Sequence, residues 1–183
     1  MPAAAAIIDD LRHGPPLATI GSHWQLLTDG VMGGISRGTM TRDIVDGRAA
    51  ICLQGVVSLE NNGGLLQIAL DLSADGGVID ASIWDGIELD IRGDGEEYGV
   101  HLRTDALSRP WQSYRHLFTA APAWHTIRLP FADFTAHRTD QPFDPRRLRR
   151  LGVVAIGRAF SCHLALGGVR FMAKPPAPQA ASR

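Results

Sequence analysis

Seven histidines (His13, His23, His101, His116, His125, His137 and His163) and two cysteines are the groups with which this chain could do side-chain chemistry. No pair of histidines has HExxH spacing. Cys52 and Cys162 lie in separate apolar runs without CxxC spacing or a neighbouring His cluster, so metalloprotease, thiol and zinc-site patterns are lacking. Glu88 and Asp90 sit two apart in a strand-like run, as paired acids of a glycosidase could, but solvated strand faces carry such pairs everywhere. The expectation is therefore a binding protein with no catalytic residue, no metal ligand and no cofactor.

Two glycine-rich segments offer backbone N–H groups instead. In Asp29–Ser36 (DGVMGGIS), Gly30, Gly33 and Gly34 allow dihedrals closed to other residues, which suits a phosphate cradle or a tight turn between edge strands. No GxxxxGK[ST] pattern follows and no helix begins there, which favours the turn. In Leu59–Gly64 (LENNGG), Asn61 and Asn62 tolerate left-handed geometry and Asn62-Gly63 signals a hairpin. Glu60, Asn61 and Asn62 could present oxygens to sugar hydroxyls or calcium, although carboxylates are too few there for a calcium site.

A third collection is a polar outer face built from Glu88, Asp90, Arg92, His101, Arg103, Tyr114 and His116, provided that their three strands lie side by side. Tyr and Arg are enriched at binding hot spots; an ordinary hydrated sheet face has the same composition. Trp24, Trp84 and Trp124 border strands and are expected to seal the sandwich, whereas Trp111, in the loop ALSRPWQ, is expected to be exposed as an aromatic contact.

The elements that must position these groups are strands. Ile87, Leu89 and Ile91 alternate with Glu88, Asp90 and Arg92, and Tyr98, Val100 and Leu102 alternate with His101 and Arg103. The intervening GDGE reads as a hairpin connection that pairs these two strands antiparallel. Further short apolar runs bring the expectation to about eight to ten strands, joined by loops too short for crossover helices. The fold class expected is all-β: a two-sheet antiparallel β-sandwich of jelly-roll type. One helical turn is expected in DPRRLRRL, with Asp144 as N-cap and Pro145 at the first position.

The 183 residues suit one domain. The expected organisation is an N-terminal extension over 1–22, the sandwich over 23–173 and a disordered tail over 174–183. With 18 basic against 19 acidic residues, no nucleic-acid partner is expected. Lys174 is the only lysine. The N-terminus lacks the pattern of a secretory or import leader, pointing to a cytoplasmic protein, and no apolar run is long enough for direct membrane insertion.

Taken in order, WQLLTDGVMGGIS, LQGVVSLENNGG, LDIRGDGEEYGVHLRT, SYRHLF and WHTIRLPFADF resemble the complex I intermediate-associated protein 30 family, over roughly Trp24 to Phe171. The resemblance implies a galactose-binding-like jelly roll, a fold shared with carbohydrate-binding modules. It also implies a role like that of mitochondrial members, which act as assembly chaperones of respiratory complex I. The family motif falls on Asp29, Gly30, Met32, Gly33, Gly34 and Ser36, on Glu60, Asn61, Asn62, Gly63 and Gly64, on Gly93, Asp94, Gly95 and Tyr98, and on Trp124, Leu129, Pro130, Phe131 and Phe134. This chain departs from the pattern after Phe134, where HRTDQPFD replaces the usual Arg-Gly loop, and at Leu53 and Leu65, where Phe is more usual. The implied partner is a protein, such as a subunit of a membrane complex; a carbohydrate is the alternative.

Overall fold

Short strands with one apolar face can be stable only when two sheets bury those faces against each other. The computed structural model describes residues 4–176. Its strands are β1 (Ile7–Asp9), β2 (Gln25–Thr28), β3 (Arg37–Val45), β4 (Arg48–Val57), β5 (Leu65–Asp71), β6 (Trp84–Arg92), β7 (Glu97–Thr104), β8 (Ser113–Thr119), β9 (His125–Pro130), β10 (Thr135–His137), β11 (Leu148–Ile156) and β12 (Phe160–Ala173). They form two antiparallel sheets. The first runs β3-β4-β12-β6-β9, with β1 also on β12; the second runs β10-β8-β7-β11-β5-β2.

The inward rows follow the expected alternation. Ile87, Leu89 and Ile91 face Tyr98, Val100 and Leu102 across a core in which all six are essentially without solvent contact. Burying each such side chain contributes roughly 1.5–3 kcal/mol. Trp24 and Trp84 are also buried or half-buried, with their indole N–H groups on Asp9 Oδ2 (2.7 Å) and Ala4 O (2.9 Å). Segment 1–22, expected as an extension, joins this core from Ala4 onward: β1 pairs with β12, and Ile8, Leu11 and Ala18 are buried. Of the tail expected to be disordered, residues 177–183 lie outside the described ones.

Two local expectations are corrected by the topology. β6 and β7 do not pair: β6 lies between β12 and β9, β7 between β8 and β11, so Gly93–Glu96 crosses from one sheet to the other. Likewise LENNGG is no hairpin, because β4 and β5 belong to different sheets. In a sandwich, a tight turn that returns a strand within its sheet and one that carries it over the edge use the same Gly and Asn dihedrals, and Asn61 (φ 56°) and Asn62 (φ 59°) are both left-handed here. A tight two-residue hairpin joins β3 to β4 through Asp46 (φ 48°) and Gly47 (φ 79°). A 3-10 turn at Pro145–Arg147 is capped by Asp144, whose carboxylate accepts from Arg146 N at 3.0 Å. Among the described residues no helix is long and apolar enough to cross a membrane.

Candidate functional site

The glycine-rich motifs build two polar junctions between the sheets. Asp29 opens the β2–β3 connection and is 5% exposed. Its carboxylate accepts from Ser36 N (3.1 Å), from the Ser36 hydroxyl, and from Gly64 N (2.7 Å) and Leu65 N (3.2 Å) in the LENNGG crossing. Burial raises its pKa, but those donors outweigh it and hold the carboxyl below its ordinary value. The glycines here serve closeness: a Cβ at Gly34 would stand 2.5 Å from Asp29 Oδ1, and one at Gly63 would stand 2.6 Å from Oδ2 and 2.8 Å from Ser58 O. Gly30 N is held by the Thr28 hydroxyl at 3.1 Å, and Gly33 (φ 83°) caps the short 3-10 turn. The backbone of Met32 lies in that turn; its side chain is outside the described ones.

Ser36 also has the letter spacing G-x-S-x-G, from Gly34 to Gly38, which sequence reasoning missed. A nucleophile elbow needs a strand-turn-helix context and a histidine on the hydroxyl. Here Ser36 leads into β3, and its hydroxyl is bound to Asp29 and placed 3.3 Å from Ser58 O, so it clips two loops together.

Asp94 makes the second junction. Its carboxylate accepts from the buried Tyr98 hydroxyl (2.9 Å), from His163 N on β12 (3.0 Å) and from Glu96 N (3.1 Å). Gly93 is needed because a Cβ there would meet the Ala120 methyl at 2.4 Å, and Gly95 has φ 84°. Burial pushes the Tyr98 hydroxyl far above its ordinary pKa, so it stays a donor. Tyr98→Phe is expected to lower stability by about 1–2 kcal/mol in urea melts, since it strips one acceptor and one donor from a buried network; an unchanged midpoint would contradict this role.

The polar face expected from the sequence is divided. Glu88 and Asp90 point outward from the first sheet, where Arg170 bonds both (2.9 Å to each), Arg48 bonds Asp90 (2.7 Å) and Arg128 pairs with Glu88 (3.1 Å). Burial opposes ionisation of Asp90, but Arg170, Thr126 and Arg48 hold its carboxyl well below the usual range. Arg92 lies on this sheet too, 3.8 Å from Asp46. His101 and Arg103 point outward from the second sheet, on the opposite side of the molecule.

Tyr114 is corrected to the core: it is 1% exposed, edge-on to Phe143, with its hydroxyl on Gln141 O at 2.9 Å. His116, two residues on, shares its inward side and packs edge-on against Phe134 at 5.5 Å. The true outward residues of β8 are Ser113, Arg115 and the exposed Leu117. Grouping Tyr114 with Phe118 as the apolar row was the available signal for this. Trp111 is 49% exposed, as expected, at the rim beside Arg103, whose guanidinium donates to Arg109 O (3.0 Å) and Gln112 O.

His101 and His116, considered above as chemically active groups, are thus on different sides of their sheet. His101 is 9% exposed, and its pKa is pushed down to about 3 by burial and by the positive charge of Arg115 and the nearby His137, so it is neutral near pH 7. Cys162, buried and free, has its thiol pushed up to about 11 by burial. Among the described residues no three His, Cys, Asp or Glu side chains are grouped to hold a metal. An open surface depression of about 640 Å³ lies on the first sheet between Arg37, Gln54, Val56 and His163.

Two antiparallel sheets packed face to face, with their crossing loops tied together, define a β-sandwich of jelly-roll type. The structure is similar to a family 11 carbohydrate-binding module from Clostridium thermocellum in complex with a β-1,3-1,4-mixed-linked tetrasaccharide (TM-score 0.71, 13% identity, 94% of this chain and 98% of that one). It is similar also to a family 30 carbohydrate-binding module of a cellulosomal cellulase of the same organism (0.57, 15%, 95% and 96%), and to part of an exo-β-agarase (0.62, 8%, 96% and 26%). At these identities the likeness is one of fold. No curated protein sequence matches. The chain belongs to the complex I intermediate-associated protein 30 family, whose model matches residues 18–164.

Proposed function

We propose that this domain is a non-catalytic assembly or scaffold factor that grips a protein partner, in the manner implied by its family for respiratory complex I or another membrane-associated complex. The observation that carries the reading is the apolar surface around the Asp29 junction. Ile35 (44% exposed), Val56 (54%) and Leu59 (50%) flank the Ser36–Ser58 clip, beside the open depression on the first sheet. Large apolar side chains held outward on a cross-linked loop end give a partner contact area at little ordering cost.

Affinity capture of tagged protein from its native host, followed by crosslinking and mass spectrometry, tests this. The expected result is recovery of membrane-complex subunits crosslinked near Ile35 and Leu59, with recovery at least ten-fold lower for Ile35→Asp/Leu59→Asp. No partner above the tag control at low salt overturns it.

A carbohydrate ligand is the second reading, supported by the fold it shares with the two modules. Trp111 and Arg103 adjoin each other at the rim of the second sheet and Asn61 is at the crossing between the sheets, while Tyr114 is in the core and out of reach of a sugar. Binding of a neutral oligosaccharide in calorimetry, lost in Trp111→Ala, would favour it over the protein-partner reading.

A further inference from the structure

The two outer faces handle charge in opposite ways. On the first sheet Glu88 and Asp90 are engaged by Arg48, Arg128 and Arg170. The second sheet carries Arg103 on β7, Arg115 on β8 and Arg149 and Arg150 on β11, with His137 and Arg138 at the end of β10. Of these arginines only Arg150 has an ion-pair partner among the described residues, Asp71 at 2.8 Å. Glu97 stands at the far end of β7, four positions from His101.

Arg103 lies directly across from Arg150, a like-charge pairing that costs stability in a sheet. Arg115 lies directly across from His101, hence diagonally from Arg103. Both Arg103 and Arg115 are half-buried, with burial and neighbouring arginines opposing their charge. Each is also held in place by one side of its guanidinium: Arg115 Nε donates to Ser113 Oγ (2.8 Å), and Arg103 Nη1 donates to the 109–112 loop. Their remaining N–H groups make no hydrogen bond among the described residues. Positioned, partly desolvated guanidiniums without an anion are what a bidentate carboxylate contact requires.

The spacing and the floor point to the source of the carboxylates. Diagonal neighbours in a sheet are about 7–8 Å apart, close to the roughly 7 Å between alternate residues of an extended chain. The floor beside them is low on the β7–β11–β5 side, with Gly99, Gly152 and Ala69 in outward positions. No Phe, Tyr or Trp stands outward on these six strands, since Tyr98, Tyr114 and Phe118 all point inward, so the floor lacks the stacking platform a sugar chain would use.

We propose that the outer face of the second sheet is a docking surface for an extended acidic segment of a protein partner, bearing carboxylates on alternate residues that engage Arg115, Arg103 and the Arg138 corner. This rests on the reading of the domain as a protein-binding factor, and adds a second, charge-selective contact on the side away from Glu88 and Asp90.

The test is fluorescence anisotropy of a short synthetic peptide of alternating Glu and Thr with the full chain, against the same peptide with Gln in place of Glu. The expected result is binding of the Glu peptide only, weakening as salt is raised. Affinity should fall at least ten-fold in Arg115→Gln and in Arg138→Ala, and stay unchanged in Arg128→Ala on the first sheet. Arg138→Ala removes no hydrogen bond of its side chain, so it keeps the test open should Arg115→Gln fail to fold. Absence of binding, or equal losses in Arg128→Ala, overturns the proposal, as does preference for polygalacturonate over the peptide. Failure here leaves capture through Ile35 and Leu59 intact, whereas loss of all native partners with peptide binding retained would sink the assembly-factor reading alone.

Discussion

Asp29→Ala is expected to lower the unfolding free energy by about 3–5 kcal/mol, the sum of leaving several buried donors without an acceptor. Ser36 N, Gly64 N and Leu65 N come from two loops, and the Asp29 carboxylate is their shared acceptor. Asp29→Asn keeps one acceptor oxygen but turns an amide toward the other donors, so a loss of about 2–3 kcal/mol is expected. Urea denaturation at pH 7 measures both. Because folding depresses the Asp29 pKa, its stabilisation is present above the unfolded carboxyl's pKa, near 3.8, and is lost as pH falls toward the folded value. The gap between wild type and Asp29→Ala should therefore narrow below about pH 4. A loss under about 1 kcal/mol at pH 7 would mean that the two crossings stand without this junction.

Stability is expected to decline by about 2 kcal/mol between pH 6.5 and pH 5 because of His101. Its pKa is near 6.5 in the unfolded chain and about 3 in the folded one, with burial first and then Arg115 and His137 opposing the proton. In that window the unfolded state binds more protons, so acid favours unfolding; above pH 6.5 the full stability is present. His101→Gln should flatten the profile over this range while leaving the Asp29 dependence below pH 4 in place. His137, depressed in the same direction by burial, Arg115 and Arg138, accounts for a smaller remainder. A His101→Gln profile parallel to wild type would show that the ring gains a proton without unfolding.

The family motifs were legible as ordered words, but their role was not. Asp29, Gly34, Gly63 and Gly64 read from the sequence as two separate glycine-rich turns. They prove to be halves of one junction, because Gly64 N reaches a carboxylate 35 residues away. Asp94 and Tyr98 are near in sequence, yet the group they jointly hold, His163 N, is 65 residues beyond Tyr98. Arg115 and Arg138 went unread for a related reason: an arginine on a strand or just past its end is unremarkable until its neighbours are known to lack carboxylates.

What the amino-acid sequence determined by itself is the parity of each strand. Side chains alternate with a period of two, so Ile87, Leu89 and Ile91 had to share one side and Glu88 and Asp90 the other, and Tyr98, Val100 and Leu102 had to oppose His101 and Arg103. That, with the turn residues, was enough for an all-β sandwich. Only the tertiary structure decided which strands are neighbours. The turn at Gly93–Glu96 has the same local chemistry whether it folds β7 back onto β6 or carries it to the other sheet; the choice rests on the burial of both inward rows against each other. Because that burial is a long-range, non-directional free energy, it leaves no mark in the turn itself, and it set the acidic pair and the arginines on opposite sides of the molecule.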